Sequence, residues 1–169
     1  MNIEILINGL MQNSDVFKGL LENVSVDQQV WKTKPDKWSL LEVVCHLFDE
    51  EREDFKTRVK CLLAIPPKDP PPIDPVGWVT ERRYIDMNYN NVLSSFLKER
   101  EESIKWLKSQ INSNWSNKYE HTHFGIITPY FYLSNWLAHD FLHIRQIVKL
   151  KFDYINAISD ENLEYAGKW

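Results

Sequence analysis

Glycine is scarce in this chain, with five in 169 residues. So few glycines exclude a turn-dense β fold and the glycine-rich loops that cradle phosphates. Cysteine is scarcer still. Cys45 and Cys61 have neither CxxC spacing nor a secretory context, so no disulfide framework is implied and a reducing compartment is expected. Long apolar runs are missing too: nothing approaches the roughly 20 residues that a membrane-spanning helix needs. The N-terminal MNIEILINGLMQNSDVF lacks a basic segment followed by a long apolar stretch, so it is not a signal peptide. Positive charge is in deficit. The formal net charge is −4, and Lys and Arg are scattered among Glu and Asp. Nucleic acid needs basic surface that displaces counterions, so neither nucleic acid nor membrane is the expected partner. A cytoplasmic location follows.

What the chain has is aromatic weight. Aromatics make up 13% of the residues, including seven Trp, within an ordinary globular balance of 43% hydrophobic and 26% charged. The length suits one domain, residues 1–169, able to bury a core without staples. Large side chains are expected to fill that core or line a cleft.

Apolar residues recur at helical spacing over four stretches. Residues 3–23 form an amphipathic helix, with a break expected near Asn13-Ser14. Residues 23–35 form a linker anchored by Trp31. Ser39 followed three residues later by Glu42 is a capping-box signature, and it opens a long helix over 39–64 that Pro66 and Pro67 stop. PPKDPPPIDPVGW, residues 66–78, holds six of the eight prolines and reads as a stiff irregular loop, either a connector or a wall over a site. A third helix is expected over 80–111, broken around Asn88–Asn91, followed by a polar loop over 112–127. Thr128-Pro129 supplies an N-cap and a proline at the first helical position, so the fourth helix starts there and runs to about Phe152. The tail adds at most one turn. No sustained strand alternation appears. The fold class is all-α, a four-helix bundle with long connecting loops.

The fourth helix carries WLAHDFLHIRQI, residues 136–147. At about 100° per residue, Tyr132, Trp136, His139, His143, Ile147 and Leu150 share one face, so both histidines point where the apolar side chains point. Residues at i and i+4 sit one above the other, and two imidazoles so placed can converge on one divalent cation. They could equally be core histidines bonded to neighbours. His46, in EVVCHLFDEE, lies at the border of the apolar face of the second helix, with Glu42 and Glu50 one turn to either side. A cleft between these two helices would complete a three-histidine site. Glu42, Glu50 or Asp140 would orient a ligand or donate an oxygen. Three protein ligands leave room for water or substrate. Cys45 adjoins His46 but diverges from it by about 100°, too far to share the metal. His121 and His123 lie in the polar loop, either as exposed loop residues or, for one of them, as a proton shuttle at the site's mouth.

KWSLLEVVCHLFDEE resembles the first signature of the DinB-like (YfiT-like) four-helix bundles, and WLAHDFLHIRQI resembles their second, H-D-x-x-H-x-x-Q-I. GWVTERRY, LKERE and the closing YAGKW resemble one subgroup. The resemblance spans nearly the whole chain in the right order. It implies an up-down-down-up bundle, a divalent ion (nickel, zinc or iron) held by His46, His139 and His143, and homodimers. It also implies activity either as an S-transferase or isomerase using a low-molecular-weight thiol, such as bacillithiol, mycothiol or glutathione, or as a metal-dependent hydrolase.

The expectation is therefore a metal-dependent enzyme acting on a small molecule, of the thiol-dependent S-transferase type. Trp136, Tyr132 and the proline loop would line its open face. The alternatives are a hydrolase, or a non-catalytic metal-binding or interaction module.

Overall fold

The computed structural model describes residues 2–168. Four helical rods make the bundle. The first is α1, Ile3–Leu21, capped by the Asn2 side chain. The second joins α3, Leu40–Asp49, through a π-helical turn, Glu50–Phe55, to α4, Lys56–Leu63. The third is α6, Tyr89–Ser109, and the fourth α7, Pro129–Ile158. Two short helices lie in the connections, α2 at Val26–Val30 and α5 at Pro75–Glu81.

Side-chain contacts fix the directions. Leu137 of α7 lies against Gly9, Asp140 bonds Asn13 and Lys151 bonds the Leu20 carbonyl, so α1 and α7 run parallel. Phe17 meets Phe96 while the Leu10 carbonyl meets Arg100, so α6 runs against α1. His46 faces His143, Phe55 stacks on Trp136 and Arg58 reaches Tyr132, so the second rod runs against α7. The order is up, down, down, up, as expected for the bundle.

Several boundaries differ from expectation. There is no break at Asn13-Ser14, because Asn13 is buried and its amide donates to Asp140, which removes the reason for a polar pair to interrupt α1. The 23–35 linker contains α2, capped by Ser25, and Trp31 then packs edge-on against Tyr154. The long second helix is not α throughout. Its π turn accommodates one extra residue, and no composition marks it.

The proline segment is not wholly irregular. Pro75 sits in the first turn of α5, where its missing N–H costs nothing, and the Asp74 carboxylate accepts from the Gly77 N–H at 3.0 Å. A Cβ at Gly77 would stand 2.2 Å from that carboxylate, so only glycine fits the cap. The third helix starts at Tyr89 and not at 80, because Asn88 caps it after a turn at Tyr84–Asp86. A two-stranded hairpin, β1 Tyr119–His121 and β2 Gly125–Ile127, replaces the expected polar loop. Its three-residue strands are too short to show alternation. α7 continues to Ile158, two turns past Phe152, and a 3-10 turn at Leu163–Ala166 follows. Trp169 of YAGKW lies outside the described residues.

The core has two apolar halves. One gathers Phe17, Leu40, Val43, Leu47, Tyr84 and Phe96, and the other Ile7, Leu10, Phe55, Val59, Leu133 and Trp136. Between them lies a buried polar layer. Asn13 comes from α1, His46, Glu50 and Glu51 from the second rod, Arg100 from α6, and Asp140 and His143 from α7. No described helix is long and apolar enough to cross a membrane.

Candidate metal centre

The capping box at Ser39 fixes the start of α3, and His46 follows two turns later, 6% exposed. The Thr128-Pro129 start fixes α7, and His139 and His143 stand on its inner face one turn apart. The structure brings these three histidines together. The His139 and His143 rings are 4.3 Å apart, and the His46 ring lies 4.8 Å from His143 and 5.5 Å from His139. One candidate ligand atom from each lies within 4.8 Å of the others. Trp38 packs on His46 and Phe55 on His139, so aromatic rings fix two of the imidazoles.

The electrostatics favour neutral rings. Burial drives the His46 pKa down to about 3, aided by His143. Burial, with His143, His46 and Arg100, drives His139 down to about 2. His143 is lowered by burial, against an upward pull from Gln146 and Asp140. His143 Nδ1 and the Gln146 amide oxygen are 2.8 Å apart. That oxygen only accepts, so Nδ1 carries the proton and His143 Nε2 offers a lone pair.

This Nε2 faces His139 Nε2 at 3.0 Å. Two imidazole lone pairs at that distance need something positive between them, a proton or a cation. Two nitrogens each about 2.1 Å from one ion stand about 3 Å apart when the angle between them is near 90°. His46 Nδ1 is buried without a hydrogen-bond partner. Neutral imidazoles suit the borderline divalent metals, so the residues present fit a divalent ion.

The centre opens two ways. A cavity of about 490 Å³ reaches His143 past Trp38, with Lys37, Arg145, Lys149 and Asp153 around it. A second, of about 380 Å³, reaches His139 past Tyr132 and Phe55.

The family profile of the DinB superfamily matches residues 10–147. This chain belongs to the DinB superfamily. Among solved structures it is similar to YfiT from Bacillus subtilis, with a TM-score of 0.77 at 19% identity, covering 90% of this chain and 87% of that one. YfiT is described as a probable metal-dependent hydrolase with an unusual four-helix bundle topology. Comparison with curated proteins finds no match.

The other anticipated residues of this DinB-superfamily chain fall in different places. Glu42 is occupied elsewhere: one carboxylate oxygen accepts from Lys32 and the other from the Ser39 N–H and hydroxyl. Asp140 turns away from the histidines and takes both arms of Arg100, at 2.7 and 2.8 Å. Trp136 is 1% exposed, stacked on Phe55, and its indole N–H donates to Glu51 at 3.0 Å, so it lies under the centre and not on its open face. Tyr132 lines the smaller cavity. Glu50 is buried one turn beyond His46. Its pKa is raised to about 9, first by burial and then by Asp54, with which it shares a hydrogen bond. Cys45 lies on another side of α3, its thiol 3.9 Å from the Tyr84 carbonyl and its pKa pushed up to about 12, chiefly by burial. His121 borders the smaller cavity, and its Nδ1 accepts from the N–H groups of His123 and Phe124.

Four neighbours escaped the sequence: Trp38, Asp54, Phe55 and Arg58. Asp54, Phe55 and Arg58 owe their placement to the π turn, which leaves no signature. Gln146 had a legible signal, three residues after His143 on the same face.

Proposed function

We propose that this chain is a divalent-metal-dependent enzyme acting on a small molecule, with His46, His139 and His143 as the ligands of the ion. The observation that carries this is the pair of imidazole nitrogens facing each other at 3.0 Å beside a third buried histidine, with a cavity on either side. The ion would supply Lewis acidity to the nucleophile or to the substrate's leaving oxygen.

The chain's own residues prepare that chemistry. Gln146 holds His143 in the tautomer that offers Nε2. Burial keeps protons off His46 and His139. Burial and the neighbouring Asp54 hold the Glu50 carboxyl protonated above the usual carboxylate range, one turn beyond His46, while Asp54, paired with Arg58, lines the cavity that reaches His139.

Hydrolysis is the first reading, supported by the description of YfiT, whose fold this chain shares. Thiol transfer is the second. Cys45 bonds the Tyr84 carbonyl away from the histidines, so the thiol would have to be a small molecule from solution.

Elemental analysis of the purified protein tests the metal, with about one divalent ion per chain expected. No ion, and none taken up on titration, would sink the proposal. A screen of esters and amides, run beside electrophiles with each low-molecular-weight thiol, tests the class. Turnover should fail in His139→Ala.

A further inference from the structure

The two openings of the histidine centre differ in kind. Around the larger one stand Lys37, Arg145, Lys149 and Asp153. The smaller one is walled mainly by rings, Phe55, Phe124, Phe131 and Tyr132, with Ile73 and Leu142 beside them and the Asp54–Arg58 ion pair as its polar edge. Phe124 meets Phe131 at 5.5 Å, and Phe131 meets Tyr132 at 5.5 Å in an edge-on arrangement. Phe55, which lines the same cavity, packs on His139 at 5.0 Å.

Phe124 is 57% exposed at the tip of the hairpin. Yet it is held firmly. His121 Nδ1 accepts from the Phe124 N–H at 3.3 Å and from the His123 N–H at 3.0 Å, and Gly125 takes the positive φ of +68° that the turn requires. The hairpin is tied to the proline segment by Tyr119, whose hydroxyl donates to Asp69 at 2.9 Å. That segment is tied in turn to α4 by Arg58, which donates to the Pro71 carbonyl at 3.5 Å and thereby sets Ile73 in the wall. Two irregular segments far apart in sequence are thus braced against each other and against the bundle around one apolar space. Its volume of about 380 Å³ lies within the range of small-molecule sites.

Resting on the metal-dependent reading above, we propose that the substrate carries a flat apolar group, an aryl ring or its equivalent, that lodges among Phe55, Phe124, Phe131 and Tyr132 while its reacting atom stands at His139. Ring walls favour a planar guest over a puckered one, because aromatic faces and edges attract each other in offset or edge-on arrangements. The opening beside His143, edged by Lys37, Arg145, Lys149 and Asp153, receives the polar remainder.

Naphthol and its fully saturated analogue decahydronaphthol share a skeleton and differ in flatness. Naphthol fluorescence, titrated against metal-free and metal-loaded protein, reads the first, and competition reads the second. Saturable one-to-one naphthol binding is expected in both forms, with decahydronaphthol several-fold weaker. Phe124→Ala, at an exposed tip, and Phe131→Ala should each weaken naphthol by roughly 3- to 10-fold. Lys37→Ala, at the other opening, should leave it unchanged. Absence of saturable binding, equal binding of the two analogues, or indifference to both Phe substitutions would overturn the proposal. Naphthol binding without metal uptake would overturn the metal reading and leave the pocket standing. Metal uptake without naphthol binding would do the reverse.

Discussion

Two polar clusters lie side by side in the middle of this bundle, and they are built on opposite terms. In the first, Arg100 is fully buried and pairs with both oxygens of Asp140 and with Glu51 at 2.8 Å. The Trp136 indole donates to that same Glu51 carboxylate, and Asn13 donates to Asp140. One guanidinium compensates two carboxylates in part, and Arg100 Nε and Glu51 Oε1 are left without a hydrogen-bond partner. In the second, three imidazoles converge: His139 and His143 meet at 3.0 Å, Gln146 bonds His143, and His46 Nδ1 has no partner. The first cluster draws its main partners from within the chain, whereas the second is the one to which we assign a cation. A buried polar group without a partner is costly, and the ion-paired cluster next door holds three buried charges through bonds that this chain supplies.

The largest effect should come from breaking the compensated cluster. Arg100→Met would strand two buried carboxylates and is expected to destabilise the fold by about 3–5 kcal/mol, read by urea denaturation. A loss below about 1 kcal/mol would mean that the network is not a keystone.

His143→Ala should act on the other cluster in the opposite sense. Metal binding disappears, and with it the stabilisation of about 2.7 kcal/mol expected when free metal is 100-fold above its Kd. The melting temperature of the metal-free protein should hardly move. A parallel collapse of the metal-free fold would erase the distinction between the two clusters.

Gln146→Leu should sharpen the comparison at lower cost. It removes the acceptor that fixes the His143 tautomer, so metal affinity should fall about 10- to 100-fold, measured by competition with a chelator.

The comparison is sharpened last by pH. His46 and His139 have folded pKa values far below their ordinary 6.5. Below pH 6.5 the unfolded chain takes up protons that the folded one refuses, so stability should decline as pH falls. Glu50 acts with the other sign. Raised from 4.5 to about 9, it favours the folded state at low pH and loses that contribution as pH rises through 9. Glu50→Gln should remove the loss of stability between about pH 4.5 and 9 and leave the decline below pH 4.5 alone. Equilibrium unfolding across the pH range checks both.

The sequence showed the compensated cluster least and the histidine cluster best. His139 and His143 were legible because one helix sets their spacing, and His46 because its helix start is marked by Ser39 and Glu42. Asp140 was legible only as an oddity, since its partner Arg100 lies 40 residues away on another helix, in a stretch rich in surface charge. The bundle order could be anticipated from helix count and resemblance. The hairpin and α5 were missed for a local reason: three-residue strands and a seven-residue helix repeat their periods too few times to betray them. The aromatic pocket was out of reach, because Phe55, Ile73, Phe124 and Phe131 meet only through the folding of two irregular segments.

The π turn at Glu50–Phe55 has a genetic corollary. A π turn is an α-helix carrying one residue too many. Removing a single codon within it would restore an unbroken helix and swing everything beyond by about 100°. His46 lies before the turn and would keep its aim, while Arg58, just after it, would leave Tyr132 and Pro71. One in-frame deletion would therefore unpick the wall of the smaller cavity while leaving the aim of His46 in place.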